Sequence, residues 1–148
     1  MSKIKAINIT NLSGEKTFYI NQVILNKNKG IINDRYYENF KNTYEQITLI
    51  ESEKIDNFNN TIREKISYKD FRRNIITSGI DLNQTINKKI QINDVILRVY
   101  QLCQPCIYLQ NKLNINNLVK LLVNKSGVCA EIIKSGKIST FDKIKVIN

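Results

Sequence analysis

Apolar and polar residues alternate along much of this chain, in short runs that predict β-strands. The first run, residues 3–9, is rich in β-branched side chains, which favour the pleated backbone. Similar runs predict strands at 18–25, 46–50, 71–77, 89–102, 127–134 and 143–147. We expect Asn93-Asp94 to interrupt the longest run, and Ser135-Gly136 to provide the turn before the closing strand.

Two segments have a helical period instead. Ile55, Phe58, Ile62 and Ile66 recur at steps of three and four residues, which predicts a helix that starts near Ser52. Residues 113–123 predict a second helix, with three leucines expected to face inward: Leu118, Leu121 and Leu122.

Many short strands with few helices indicate a mostly β protein of the α+β class. We predict a mixed-strand β-barrel, closed or nearly closed, with helices packed at its ends. The chain has 148 residues, with no Pro/Gly/Ser-rich linker and no internal repeat. We therefore expect a single domain over residues 1–148.

The net charge of +10 first suggests a polyanionic partner. The basic residues are scattered, however, and only Arg72-Arg73 and Lys88-Lys89 are adjacent. We therefore do not expect nucleic acid as a partner, and a basic pocket for a small phosphate-bearing ligand explains the charge as well. No apolar run reaches 18 residues and no signal peptide is recognisable, so we expect no membrane span and a cytoplasmic location.

Thiols are the most reactive groups of this sequence, because it has three cysteines and no histidine. Two of the cysteines flank its single proline in the segment Leu102-Cys-Gln-Pro-Cys-Ile-Tyr108. Proline ends strands and suits the first position of a helix. We expect a short helix from Pro105, with Cys106 in its first turn, where free N–H groups stabilise a thiolate.

Three interpretations of this pair stay open. A zinc site would need two further ligands, and only Cys129 is left. A thioredoxin-like dithiol has this spacing, but the expected βαβ context is absent. Buried cysteines that serve as small apolar side chains are the third interpretation, which suits Cys129 well and Cys106 least.

A basic segment lies about thirty residues upstream of the cysteine pair. Arg72 and Arg73 could hold a phosphate with paired hydrogen bonds, and the Asn74 amide could bind the edge of a heterocycle. An arginine pair at the start of a strand is also common on a solvated face, so the segment alone is a weak signal.

Five motifs, taken in order, resemble the MOSC domain, the family named for the C-terminal domain of molybdenum cofactor sulfurase. The matching segments are Gly30-Ile-Ile-Asn-Asp-Arg35, Gln46-Ile-Thr-Leu-Ile-Glu51, Arg72-Arg-Asn-Ile-Ile-Thr-Ser-Gly-Ile-Asp-Leu82, Gln104-Pro-Cys106 and Gly127-Val-Cys-Ala-Glu-Ile-Ile-Lys-Ser-Gly136. The family fold is a mixed β-barrel with helices, in agreement with the strand-rich pattern.

The resemblance implies a molybdenum cofactor (molybdopterin). The family pattern makes Cys106 the molybdenum ligand and the catalytic residue, and places Arg72 and Asn74 against the pterin and its phosphate. Three residues of the same motifs are also predicted to bind the cofactor: Arg73, Thr77 and Gln104. The expected activity is reduction of N-hydroxylated or N-oxygenated small molecules, with electrons from a separate electron-donor protein.

Two other functions remain open. In one, Cys106 carries persulfide sulfur from a sulfur donor in metal–sulfur cluster or cofactor assembly. In the other, the chain is a basic binding module that keeps only the fold. Pyridoxal phosphate, also linked to the family, belongs mainly to an aminotransferase-like partner domain.

The sequence departs from the family pattern at two turns, at Ser78, where a charged residue is frequent, and at one cysteine. Asn33 and Phe141 stand where glycine precedes aspartate, and asparagine tolerates a positive φ better than phenylalanine does. Cys103 suggests a reversible disulfide with Cys106, or a thiol that resolves a persulfide carried there.

Overall fold

A computed structural model describes residues 1–40 and 42–147 of the chain. These residues form eleven strands: β1 (Lys3–Ile9), β2 (Phe18–Tyr19), β3 (Gln22–Asn26), β4 (Gly30–Ile31), β5 (Ile47–Glu51), β6 (Ile75–Ser78), β7 (Lys89–Ile92), β8 (Val95–Leu102), β9 (Val128–Lys134), β10 (Gly136–Ser139) and β11 (Lys145–Ile147). The helices are α1 (Ser52–Ile62), α2 (Ile107–Leu113) and α3 (Leu118–Leu122), with 3₁₀ turns at Thr43–Glu45, Tyr68–Phe71 and Leu82–Thr85. None of the helices in the described ranges is long and apolar enough to cross a membrane.

The strands form two sheets of mixed direction. The larger has eight strands in the order β11-β7-β8-β9-β5-β6-β1-β2, and the smaller has the order β10-β3-β4. The β5–β6 pair is parallel, as a strand–helix–strand connection through α1 requires. The mixed α+β, mostly β class is therefore confirmed.

The predicted closure of the barrel is only partly realised. The larger sheet has an open strand order, with β2 and β11 at its edges. It curls far enough for Lys3 to form an isolated bridge with Lys143, and the Ile4 N–H donates to the Asp142 carbonyl at 2.9 Å. These contacts do not extend into a continuous hydrogen-bonded ladder between β1 and β11. The short strand β11 is paired with β7 instead. The sheet is a curled half-barrel.

The main core fills the concave side of this sheet. It consists of aliphatic side chains from nearly every strand, such as Ile7, Leu49, Ile90 and Leu97, all with no solvent exposure. A second cluster lies where the helices pack on the other side of the sheet, and there Phe58 and Phe71 meet edge to face with ring centroids 5.7 Å apart. Burial of both clusters supplies most of the driving force for folding.

Several predicted elements differ from the structure, three of them outside the cavity described below. Residues 18–25 split into β2 and β3, and the Ser135-Gly136 turn is followed by β10, which pairs with β3 in the smaller sheet. The helix predicted over 113–123 is only α3, because Asn114 and Asn117 adopt positive φ angles. Leu121 is 37 % exposed and does not face inward as predicted.

Both departures from the family's turn glycines are accommodated. Asn33 and Phe141 adopt φ angles of 74° and 75°. The Phe141 ring is exposed, and the Lys3 ammonium lies 5.5 Å from its centroid. The tight turn therefore survives with a bulky residue, because its side chain points into solvent.

Candidate functional site

A cavity of about 970 Å³ opens where the starts of β6 and α2 meet the end of β8. Three arginines and three cysteines contribute its positively charged and sulfur-containing side chains. These residues are Arg35, Arg72, Arg73, Cys103, Cys106 and Cys129. The cavity brings the basic segment and the cysteine pair together, although they are about thirty residues apart in the sequence.

Arg72 reaches the cavity because the 3₁₀ turn Tyr68–Phe71 ends there. Arg72 caps this turn in a left-handed conformation, with φ 62° and its N–H donating to the Lys69 carbonyl at 3.0 Å. This is why the predicted strand 71–77 begins only at Ile75. The Arg72 guanidinium donates to the Glu15 carbonyl at 2.6 Å and is largely buried.

Arg73 ties the loops around the cavity together. Its guanidinium donates to the carbonyl and the hydroxyl of Ser126, both at 2.8 Å, and to the Gln104 carbonyl at 3.5 Å. Burial lowers the pKa of Arg73 to about 10, while the negative charge of a Cys106 thiolate acts in the opposite direction. Arg73 is therefore a charge held next to the exposed thiol.

Arg35 is a site residue that we did not predict. Its guanidinium contacts the Asp34 carboxylate at 3.3 Å, donates to the Arg72 carbonyl at 3.3 Å and stacks over the Tyr36 ring. Burial, and next the positive charge of Arg35, lower the pKa of Arg72. The available signal was the Asp34-Arg35 pair of the first family motif, which we had used only to support the resemblance.

Cys106 has an exposed, free thiol. It lies one residue before α2, with φ −124° and ψ 159°, so it precedes the first helical turn in which we predicted it. Its carbonyl accepts from the Gln110 N–H at 3.2 Å, which fixes the thiol-bearing residue to the helix.

The predicted Cys103–Cys106 disulfide is wrong for this structure, in which Cys103 is bonded to Cys129. The two strands explain the difference. Gln101 of β8 lies opposite Cys129 of β9, and the Cys103 N–H donates to the Gly127 carbonyl at 2.8 Å. Pairing thus continues past the end of β8 and places the two Cα atoms 5.7 Å apart, a usual separation for a disulfide.

Gln104 lines the cavity, whereas Asn74 and Thr77 do not contribute to its lining. The Asn74 side chain is buried, where its oxygen accepts from the Thr48 N–H at 3.1 Å and its amide donates to the Asn8 carbonyl at 3.4 Å. The Thr77 hydroxyl is fully buried and donates to the Ile50 carbonyl at 3.5 Å. Both side chains hold strands together behind the cavity wall, and their contact with a cofactor stays a prediction.

This strand-rich fold, with a basic cavity and an exposed thiol, belongs to a known class. The MOSC domain family matches residues 37–145, and the chain is a member of that family. The family is associated with binding of the molybdenum cofactor. A comparison with curated proteins found no match.

Solved structures support the fold. The chain is similar to the YuaD protein from Bacillus subtilis, with 18 % identity, a TM-score of 0.84, and 99 % of this chain and 96 % of that chain covered. It is also similar to YiiM from Geobacillus stearothermophilus, with 16 % identity, a TM-score of 0.84, and 100 % and 76 % covered. YiiM from Escherichia coli matches with 16 % identity, a TM-score of 0.76, and 99 % and 70 % covered. Identities this low establish the fold alone.

Proposed function

We propose that this MOSC protein binds the molybdenum cofactor and reduces N-hydroxylated or N-oxygenated small molecules. The observation that carries the proposal is a single cavity that presents the exposed Cys106 thiol together with three guanidinium groups. The electrons come from a separate electron-donor protein, because the sequence has no flavin, haem or iron–sulfur signature.

The side chains around the cavity fit such a cofactor chemically. A thiolate is a soft ligand of the kind that a metal bound to sulfur requires, and Cys106 supplies one. Arginine forks match the oxygens of a phosphate, and Arg35, Arg72 and Arg73 supply three positive charges, against the carboxylates of Glu45 in the lining and of Asp34 beside Arg35. The cavity therefore carries the excess positive charge that an anionic cofactor would neutralise.

Each residue has a distinct role in this proposal. Cys106 holds the metal, Arg72 and Arg35 hold the phosphate, and Arg73 fixes the loop of Gln104 so that the thiol stays at the cavity. Asn74 positions β6 through Thr48, which itself lines the cavity. The bound cofactor would supply two-electron oxygen-atom chemistry that the side chains cannot perform.

Elemental analysis tests the proposal. We would purify the chain without oxygen from a host that makes molybdenum cofactor, beside Cys106→Ala and the control Thr61→Ala, which changes an exposed residue of α1 outside the cavity. We expect near-stoichiometric molybdenum in the parent and the control, and none in Cys106→Ala. Absence of molybdenum from the parent, or equal amounts in all three proteins, would reject the ligand assignment.

A substrate screen follows if molybdenum is present. N-hydroxylated amines, amidoximes and nucleobases would be offered with a chemical reductant in place of the electron-donor protein. Turnover that is lost in Cys106→Ala would support the reductase function. Molybdenum without turnover of any of these compounds would leave a cofactor carrier as the better description.

The exposure of Cys106 favours a second candidate, transfer of persulfide sulfur. A carried sulfur atom must be reached by both its donor and its acceptor, and Cys106 is the exposed cysteine of the described chain. Mass spectrometry after incubation with a cysteine desulfurase would then show one added sulfur on Cys106. The same protein would bind no molybdenum.

A further inference from the structure

The three cysteines surround one cavity, in two chemical states. Cys103 and Cys129 form a disulfide and are 6 % and 7 % exposed, whereas Cys106 carries a free thiol. All three line the same space. A free thiol and a disulfide are thus placed around one cavity, which the proposed cofactor binding does not require.

Cys103 is bonded to Cys129 and lies three residues from Cys106 in the sequence. It follows the end of β8 and precedes α2, in a segment without helix or strand. Cys129, in contrast, is held inside β9, with Thr48 and Gln101 opposite it on the two neighbouring strands. To bring Cys103 to Cys106, the short Cys103–Cys106 segment has to release the Gln104 hydrogen bonds to Asn124, whereas Cys129 stays in place.

The charge around the cavity favours anions. In the described part of the chain, the guanidiniums of Arg35, Arg72 and Arg73 line the cavity with a single carboxylate, that of Glu45. This positive field raises the local concentration of a small anionic substrate.

We propose that the three cysteines form a thiol relay that reduces anionic low-molecular-weight disulfides. In the reduced chain, the Cys106 thiolate attacks one substrate sulfur, forms a mixed disulfide and releases the first thiol. Cys103 then attacks the Cys106 sulfur and releases the second thiol. Finally Cys129 attacks the Cys103 sulfur, which frees Cys106 and leaves the Cys103–Cys129 disulfide.

The reaction balances without further reagents. One substrate disulfide gains two electrons and becomes two thiols, and the Cys103 and Cys129 thiols lose two electrons and become one disulfide. The protons of the two protein thiols pass to the two released thiolates. A dithiol reductant would return the chain to its starting state. The relay belongs to the cofactor-free chain, since a metal on Cys106 would occupy the thiol that starts it, and its test below therefore uses the chain without cofactor.

A single-turnover experiment tests the relay. The cofactor-free chain is reduced, desalted and mixed with glutathione disulfide as the anionic probe. Samples are quenched in acid, alkylated and mapped by mass spectrometry. We expect two glutathione molecules per chain, a mixed disulfide on Cys106 that appears and then decays, and a final Cys103–Cys129 disulfide. The uncharged hydroxyethyl disulfide should react about tenfold more slowly.

Variants separate the three steps. Cys129→Ser should stop at a Cys103–Cys106 disulfide after two glutathione molecules are released. Cys103→Ser should stop at glutathione bound to Cys106, after one is released. A mixed disulfide that persists in the parent chain would overturn the relay, and so would equally fast formation of Cys103–Cys129 in Cys106→Ser. The parent time course decides the question even if a serine variant does not fold.

Discussion

The concave core and the cavity wall are made from the same strands but contain opposite chemistry. The core side chains of β7 and β8, such as Ile90 and Leu97, are aliphatic and have no solvent exposure. At the cavity, the residues just before β6 and just after β8, together with the start of β9, bring in Arg73, Cys103 and Cys129. Strands such as β8 and β9 therefore contribute aliphatic side chains to the core and, near one end, lead to reactive side chains at the cavity.

The difference lies in what each region contributes to stability. Aliphatic burial stabilises the folded chain by about 25 cal/mol per Å² of surface. Burial of Arg72 and Arg73 instead destabilises the folded chain. It disfavours their charged forms, and their pKa values are lowered as a result. A bound anion would offset that cost. The core should therefore determine stability, and the cavity should determine binding.

The largest effect is expected in the core. Ile90→Ala removes a fully buried side chain and should lower the free energy of unfolding by about 2–5 kcal/mol. Ile24→Ala is the matched control, because Ile24 lies on β3 with 48 % of its surface exposed. Urea denaturation measures both, and phosphate affinity should change in neither. Equal losses in the two variants would contradict the assignment of the core.

The next effect concerns Gly127, where the core and the cavity meet. A Cβ on Gly127 would overlap the Leu49 carbonyl oxygen, whereas one on Gly14 would meet no atom within 4 Å. Both glycines have a positive φ, 89° and 83°, so the backbone strain of alanine is matched. Gly127→Ala should therefore be less stable than Gly14→Ala by about 2–4 kcal/mol. A difference below about 1 kcal/mol between the two unfolding free energies would show that β5 can move away from the added methyl group.

The third effect should appear in binding rather than in stability. Arg72→Gln removes one of three cavity guanidiniums and should weaken inorganic phosphate binding by about 10- to 100-fold at low salt. Arg63→Gln is the control. Arg63 is exposed, and its backbone is left-handed like that of Arg72, with φ 58° for Arg63 and 62° for Arg72. Calorimetric titration gives both affinities. A similar loss in both variants would mean that net charge, and not the cavity, attracts phosphate.

The sequence predicted the strands of this fold better than its connections. The alternating run of β1 and the interruption at Asn93-Asp94 were both found, because each depends on neighbouring residues only. The split at Asn114 and Asn117 was missed, since left-handed asparagines leave the hydrophobic pattern intact. The open strand order was missed because pairing of distant edges has no local signal.

The site was predicted through motifs and corrected through packing. Arg72, Arg73, Gln104 and Cys106 do line one cavity. The wrong disulfide came from sequence spacing, which favoured Cys106 over Cys129 as the partner of Cys103. The register of β8 and β9 decides that question, and a single sequence does not contain it. Arg35 was missed for the same reason, because its contact with Arg72 joins distant segments.

The smallest effect is a pH dependence on the outer face, away from the cavity. Burial, and next a 2.8 Å hydrogen bond to Asp56, raise the pKa of Tyr68 from 10.0 to about 12. The folded chain keeps this proton while the unfolded chain loses it, so the stability from Tyr68 is complete below pH 10 and falls between pH 10 and 12. Tyr68→Phe should be slightly less stable at pH 8 and should lose less stability between pH 8 and 11. Denaturation at both pH values, with Tyr108→Phe as the exposed control, measures this difference. A parallel pH profile in Tyr68→Phe would mean that the hydrogen bond to Asp56 contributes nothing in solution.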